Sequence, residues 1–197
     1  MTRVVLASQS RARREVLTGA GVGFVAVTPG VDEDAAKAEF LAAGRNPRAI
    51  AEALAEAKAL AVSEYPSQLV VGADQTLEFE GRLYDKVADL TAAAERLRML
   101  RAKTHALHSA VVVAQGGIPI WRETATATLV MRDFSDSFLD AYLAEEGRDA
   151  LGSVGCYRLE GPGAQLFESI DGDYFAILGL PLLGLLELLR EKGVIRR

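Results

Sequence analysis

The opening segment constrains the fold more than any other. Thr2-Arg3-Val4-Val5-Leu6-Ala7 reads as a short buried strand, Ser8-Gln9-Ser10 as a turn, and Arg11, Arg13 and Arg14 as the start of a helix. A strand that runs through hydroxyls into a helix N-terminus gathers free backbone N–H groups and the positive end of the helix dipole at one spot. Hydroxyl donors and guanidinium forks there suit an anion, phosphate in particular. Arginines in a first helical turn oppose the dipole, so helix stability does not explain them. The whole chain has a formal net charge of -5, so this basic cluster is a local feature.

The rest of the composition sets bounds. A chain of 197 residues predicts one domain, with a smaller lobe drawn weakly at about 104–170. Half of its residues are hydrophobic, enough to bury a core without covalent staples. Cys156 is the only cysteine, which excludes an internal disulfide and fits a reducing compartment. The first residues show no basic segment followed by a long apolar one, so the expected location is the cytoplasm. The longest apolar stretch, 175–189, is broken by Gly179, Pro181, Gly184 and Glu187, and reads as a core helix with the loop leading into it. No membrane association is expected, and mild acidity argues against broad nucleic-acid binding.

Strands are predicted at 24–28, 69–73, 105–114, 118–131 and 166–170. A hairpin is predicted with arms 75–80 and 82–84 around Gly81. Asn46-Pro47 starts a helix to about Ser63, Ser135 caps another to Glu146, and further helices cover 89–102 and the stretch from Pro181. Val31-Asp32-Glu33-Asp34 reads as an acidic loop before a short helix. Helices mixed with an antiparallel meander predict an α/β or mixed α+β fold with a mixed sheet.

Ser8, Ser10 and Arg13 are the candidate phosphate ligands. Asp74 follows an apolar strand, at whose carboxyl end ligands bind in open α/β sheets. Taken alone, Asp74 reads as a turn residue at a strand end and Glu33 as a residue of a solvated acidic loop. Beside a phosphate cradle they suit Mg²⁺ or Mn²⁺, which take oxygen ligands, and a carboxylate there can orient and deprotonate water. Lys58 and Lys86 read as surface charge unless a polyphosphate needs its charge offset. His105 and His108 lie three apart on a strand, point to opposite faces and read as structural. Cys156 and Trp121 read as packing residues, and neither usual glycine-rich nucleotide loop occurs.

Short motifs then repeat a known order. They are Ser8-Gln9-Ser10-Arg11-Ala12-Arg13, Val31-Asp32-Glu33, Ala57-Lys58-Ala59, Gly72-Ala73-Asp74-Gln75, Lys86 after the hairpin, and Gly172-Asp173-Tyr174 with Gly179-Leu180-Pro181-Leu182. In that order they resemble the Maf family of nucleoside triphosphate pyrophosphatases, most closely its 7-methyl-GTP branch. The resemblance implies an elongated, two-lobed, inosine-triphosphatase-like fold around a cleft. It implies cleavage of a non-standard nucleotide to monophosphate and pyrophosphate with a divalent cation, which keeps such nucleotides out of nucleic acids. It casts Asp74 as proton acceptor, Glu33 and Asp74 as metal ligands, Lys58 and Lys86 as catalytic cations, and Ser8, Ser10 and Arg13 as phosphate ligands.

Gln75 and Glu160 resemble the 7-methyl-GTP branch, whereas members resembling dTTP/UTP pyrophosphatases carry Thr and Gln at these two positions. A carboxylate accepts from the N1–H and N2–H₂ edge of guanine, whereas thymine offers it carbonyl oxygens. Ala12 stands where relatives carry a large residue, Asp85-Lys86-Val87 replaces Gly-Lys-Pro, and His108-Ser109 replaces Thr-Gly. Asp85 is expected to blunt Lys86, and Ala12 either to widen the base pocket or to remove a stacking surface. Other readings are a dTTP/UTP or inosine/xanthosine triphosphate pyrophosphatase, or a nucleotide-binding regulator of cell division with little catalysis. The sequence leaves the oligomeric state open, with a homodimer as one expectation.

Overall fold

The computed structural model describes residues 3–63 and 67–196. Thr2, expected in the first strand, lies outside them. The described strands are β1 (Arg3–Ala7), β2 (Phe24–Val27), β3 (Gln68–Phe79), β4 (Arg82–Tyr84), β5 (Thr104–Gln115), β6 (Ile118–Met131) and β7 (Phe167–Asp171). They form one mixed sheet in the order β2-β1-β3-β5-β6-β7, with β4 attached to β3. β1 pairs parallel with β2 and β3, and β3, β5, β6 and β7 pair antiparallel in succession. The expected mixed α/β fold is the one observed.

Residues of β3 alternate between two packed faces. Leu69, Val71 and Ala73 join Val4 and Leu6 in the core with residues of α1 (Arg11–Gly19) and α7 (Leu182–Glu191). Gly72 and Asp74 face the other way, toward α3 (Pro47–Leu60). A second core, including Leu77, Leu97, Leu107, Leu129 and Leu139, lies with α4 (Leu90–Leu100) and α5 (Asp136–Glu146).

Local chemistry explains the helices that carry the site. The Ser10 hydroxyl caps α1 by accepting the Arg13 N–H at 3.4 Å, and Arg13, Val16 and Leu17 form its buried stripe. Asn46 caps α3 and Pro47 occupies its first position. The buried residues of α3 repeat as Ile50/Ala51, Leu54/Ala55 and Lys58/Ala59, so Lys58 falls on the apolar stripe. Gly72 lets α3 lie directly on β3. A Cβ there would sit 2.2 Å from the Ala55 carbonyl oxygen and 2.5 Å from the Ala59 nitrogen. Gly72→Ala is therefore expected to cost about 3 kcal/mol, by overpacking against backbone that cannot rotate away. Urea unfolding measures this, and an unchanged midpoint would show that α3 does not need the close approach.

The structure corrects three local readings. Asp74 is not at a strand end, because β5 pairs with β3 from Val70 to Glu78 and carries the strand through the predicted hairpin arm. It is β1 that stops, its last pair being Ala7 with Gly72, so Asp74 emerges just beyond the carboxyl end of β1. Glu33 is not in a loop. It opens α2 (Glu33–Ala42), because Asp32 caps that helix through the Ala35 N–H at 3.0 Å. Asp173 likewise caps a short helix, α6 (Tyr174–Ile177), in the stretch read as a loop.

Cys156 is buried, and burial pushes its thiol up to about 11, which leaves it un-ionised at neutral pH. His105 Nε2 lies 2.7 Å from the Tyr157 hydroxyl, and burial lowers this imidazole to about 4. His108 bridges Glu78 and Thr126. Among the described residues no helix is long and apolar enough to cross a membrane.

Candidate active site

A cleft of about 980 Å³ opens beyond the end of β1, and every candidate site residue read from the sequence lines it. At one end the buried Arg13 guanidinium donates from Nε to the Gly179 carbonyl at 2.8 Å and from Nη1 to Ser8 Oγ at 3.2 Å. Gly179 has φ +94°, a conformation that favours glycine. Ser8 Oγ also accepts the Ser10 N–H at 3.2 Å. Both serine oxygens thus accept within the protein, and their O–H groups remain for a ligand. Burial lowers the Arg13 pKa while Asp74 and Glu33 oppose it, and a guanidinium has enough reserve to stay charged. Arg11 and Arg14 are exposed, with Arg11 paired to Glu15 at 2.7 Å.

Lys58 gathers the carboxylates. Its ammonium donates to Asp74 Oδ1 at 2.5 Å and lies 2.9 Å from Glu33 Oε1. Lys58 and Asp74 are buried, and Glu33 is about half exposed. Burial pushes the Glu33 carboxyl up, but the Lys58 hydrogen bond and the charges of Lys58, Lys37 and Arg13 outweigh it. The net result is a carboxyl below its usual range, ionised at neutral pH. Among the described residues no hydrogen bond goes to the second oxygen of either carboxylate. No cluster of three or more His, Cys, Asp or Glu suited to a metal occurs among the described residues. Two carboxylates that each keep one oxygen fit a hard cation completed by phosphate oxygens and water.

Lys86 lies at the cleft without an ion pair among the described residues. Partial burial and then the nearby Arg13 charge lower its pKa, although the residue remains open to solvent that screens these effects. Asp85 does not pair with Lys86 as expected. Its Oδ1 takes the Lys37 ammonium at 2.5 Å instead.

Elsewhere in the cleft, Gln75 Nε2 donates to Ser109 Oγ at 2.8 Å and to the Ala176 and Ile177 carbonyls at 3.1 and 2.9 Å. Reversing the amide would set oxygen against two carbonyls, so the contacts fix its orientation. The nitrogen is spent inside the protein, and only the Gln75 carbonyl oxygen remains for a ligand. Glu160 is partly exposed, with Oε1 3.3 Å from the Arg158 Nε. Ala12 lines both this cleft and an adjoining apolar groove formed with Phe175, Leu182 and Leu186. Sequence reasoning missed Lys37, Arg158 and the role of Gly179 as an anchor for Arg13. Lys37 had a signal, since it lies four residues after Glu33 and so on the same helical face.

Fold and site together define a cleft lined by two serine hydroxyls, a buried guanidinium and two carboxylates that share one lysine. The family model of Maf-like proteins matches residues 3–192, and the chain belongs to that family. A nucleoside triphosphate pyrophosphatase of Caulobacter vibrioides is 58% identical over 195 residues, covering 99% of this chain and 98% of the relative. A 7-methyl-GTP pyrophosphatase of Rhizobium meliloti is 49% identical over 98% of this chain and 97% of its own length. A 7-methyl-GTP pyrophosphatase of Brucella abortus is 47% identical over 98% of both chains.

Proposed function

We propose that this protein hydrolyses a modified purine nucleoside triphosphate, 7-methyl-GTP foremost, to the monophosphate and pyrophosphate. Family membership and full-length similarity to nucleoside triphosphate pyrophosphatases make it a hydrolase of phosphoanhydride bonds. One observation carries the mechanism: Lys58 holds Asp74 and Glu33 together in the cleft that Ser8, Ser10 and Arg13 also line. In this reading the two hydroxyls and the guanidinium grip phosphate oxygens, and Lys86 adds an exposed cation at the cleft. Asp74 takes the proton of the water that attacks the α-phosphorus, and pyrophosphate departs. Lys58 fixes the direction of the Asp74 carboxylate. A divalent cation, Mg²⁺ or Mn²⁺, would be held by Glu33 and Asp74, and when bound offsets charge on the phosphates.

The choice of base rests on two acceptors. Glu160 and the Gln75 carbonyl oxygen suit the N–H edge of guanine, and a ring made cationic by N7-methylation suits a carboxylate further. Three of the similar proteins bear the 7-methyl-GTP name. The test is product analysis with Mg²⁺ or Mn²⁺ across 7-methyl-GTP, GTP, ITP, dTTP and UTP. Glu160→Gln is expected to lower kcat/KM for 7-methyl-GTP about thirtyfold relative to dTTP, the worth of a hydrogen bond to a charged group. An unchanged ratio between the two substrates would remove Glu160 from base selection.

A further inference from the structure

We propose that the Lys37–Asp85 ion pair is a latch that holds α2, and with it Glu33, against the catalytic centre. The two are positioning residues, and the proposal rests on the reading of Glu33 as a site residue. α2 is lightly anchored by packing, since none of its ten residues is fully buried. It nevertheless carries Glu33 at its first position, and the Lys58 contact depends on where that residue sits. Lys37 projects from the same helical face one turn later. Its side chain is only 17% exposed, and its ammonium reaches Asp85 Oδ1 at 2.5 Å across 48 residues of sequence.

Asp85 stands on a fixed post. Arg96 of α4 donates from Nη1 to the Asp85 carbonyl at 3.0 Å and to the Val154 carbonyl at 2.8 Å. Its guanidinium also lies 4.8 Å over the Tyr84 ring. The post therefore belongs to the packed α4 core, and α2 is the element being held. Both partners line the cleft, so the pair joins its α2 side to the segment that carries Lys86. A weakly packed helix is drawn from the low-stability end of a fold, where one fixed contact decides its position.

Simple electrostatics predicts the opposite sign. Asp85 is an anion in a cleft that receives polyphosphate, so neutralising it alone should strengthen binding and release Lys37 to the phosphates. A latch predicts that neutralising it weakens catalysis, because Glu33 is misplaced. The experiment compares Asp85→Asn, Lys37→Met and the swap Lys37→Asp/Asp85→Lys, reading kcat/KM for the triphosphate and hydrogen exchange of the α2 amides. Each single substitution is expected to lower kcat/KM about tenfold and to speed exchange in α2, with thermal unfolding unchanged. The swap is expected to restore most of both. A rise in kcat/KM for Asp85→Asn, or a swap no better than the singles, would overturn the latch. Exchange needs no turnover, so unchanged α2 protection defeats the latch whatever the reaction is. Failure of the unsubstituted protein to release pyrophosphate defeats only the reaction assignment.

Discussion

Asp74→Asn is expected to lower turnover about a thousandfold, within the range that a positioned general base supplies, while nucleotide binding survives. The substitution keeps the shape of the side chain and an oxygen for the Lys58 ammonium. Glu33 still pairs with Lys58, and the phosphate grip of Ser8, Ser10 and Arg13 involves no atom of Asp74. What is lost is the group proposed to accept a proton from water. Steady-state kinetics and equilibrium binding of a non-hydrolysable triphosphate separate the two effects. Unchanged turnover would remove Asp74 from the role of base, and lost binding would make it a ligand of the substrate.

Lys58→Met reaches further, because it acts on fold and chemistry together. Lys58 and Asp74 are both buried, with side chains 5% and 7% exposed. Removing one partner of a buried pair leaves the other charge without compensation, at a typical cost of 3–5 kcal/mol. The expected loss is about 3 kcal/mol, at the lower end, because Glu33 is half exposed and recovers water. Activity should fall at least as far as in Asp74→Asn. The double variant Lys58→Met/Asp74→Asn should regain part of the stability and none of the activity. Denaturant unfolding of the three variants tests this. A double variant as unstable as the sum of the singles would show that packing of the lysine stem, not the charge pair, is what matters.

The parts of this architecture that were legible in the sequence are those fixed by neighbours along the chain. The run 3–7, the Ser10 cap and the buried Val16 and Leu17 make β1 and α1 a local matter. Asn46-Pro47 is equally local. The same holds for Asp32, whose cap places Glu33 on a helix and whose signal went unread. Lys58 was readable too. It continues the pairs Ile50/Ala51 and Leu54/Ala55, so its burial follows from period alone, against its reading as surface charge.

What was not legible depends on partners far along the chain. β3 runs through Asp74 because β5, more than thirty residues later, pairs with it on both sides of that residue. Asp74 meets Lys58 because Gly72 brings α3 onto the sheet, a matter of tertiary approach and not of propensity. Asp85 beside Lys86 suggested a blunted cation. Only the fold shows that Lys37 takes the carboxylate. The candidate site residues come from motif order, and the structure adds that they line one cleft and which of them touch.

The proposed reaction requires water to attack the α-phosphorus in this cleft. Hydrolysis of 7-methyl-GTP in ¹⁸O-enriched water, with Mg²⁺ or Mn²⁺ present and products read by mass spectrometry, tests it most directly. One ¹⁸O atom in the nucleoside monophosphate, with unlabelled pyrophosphate, is the predicted result. Label in pyrophosphate, or release of labelled orthophosphate, would contradict it.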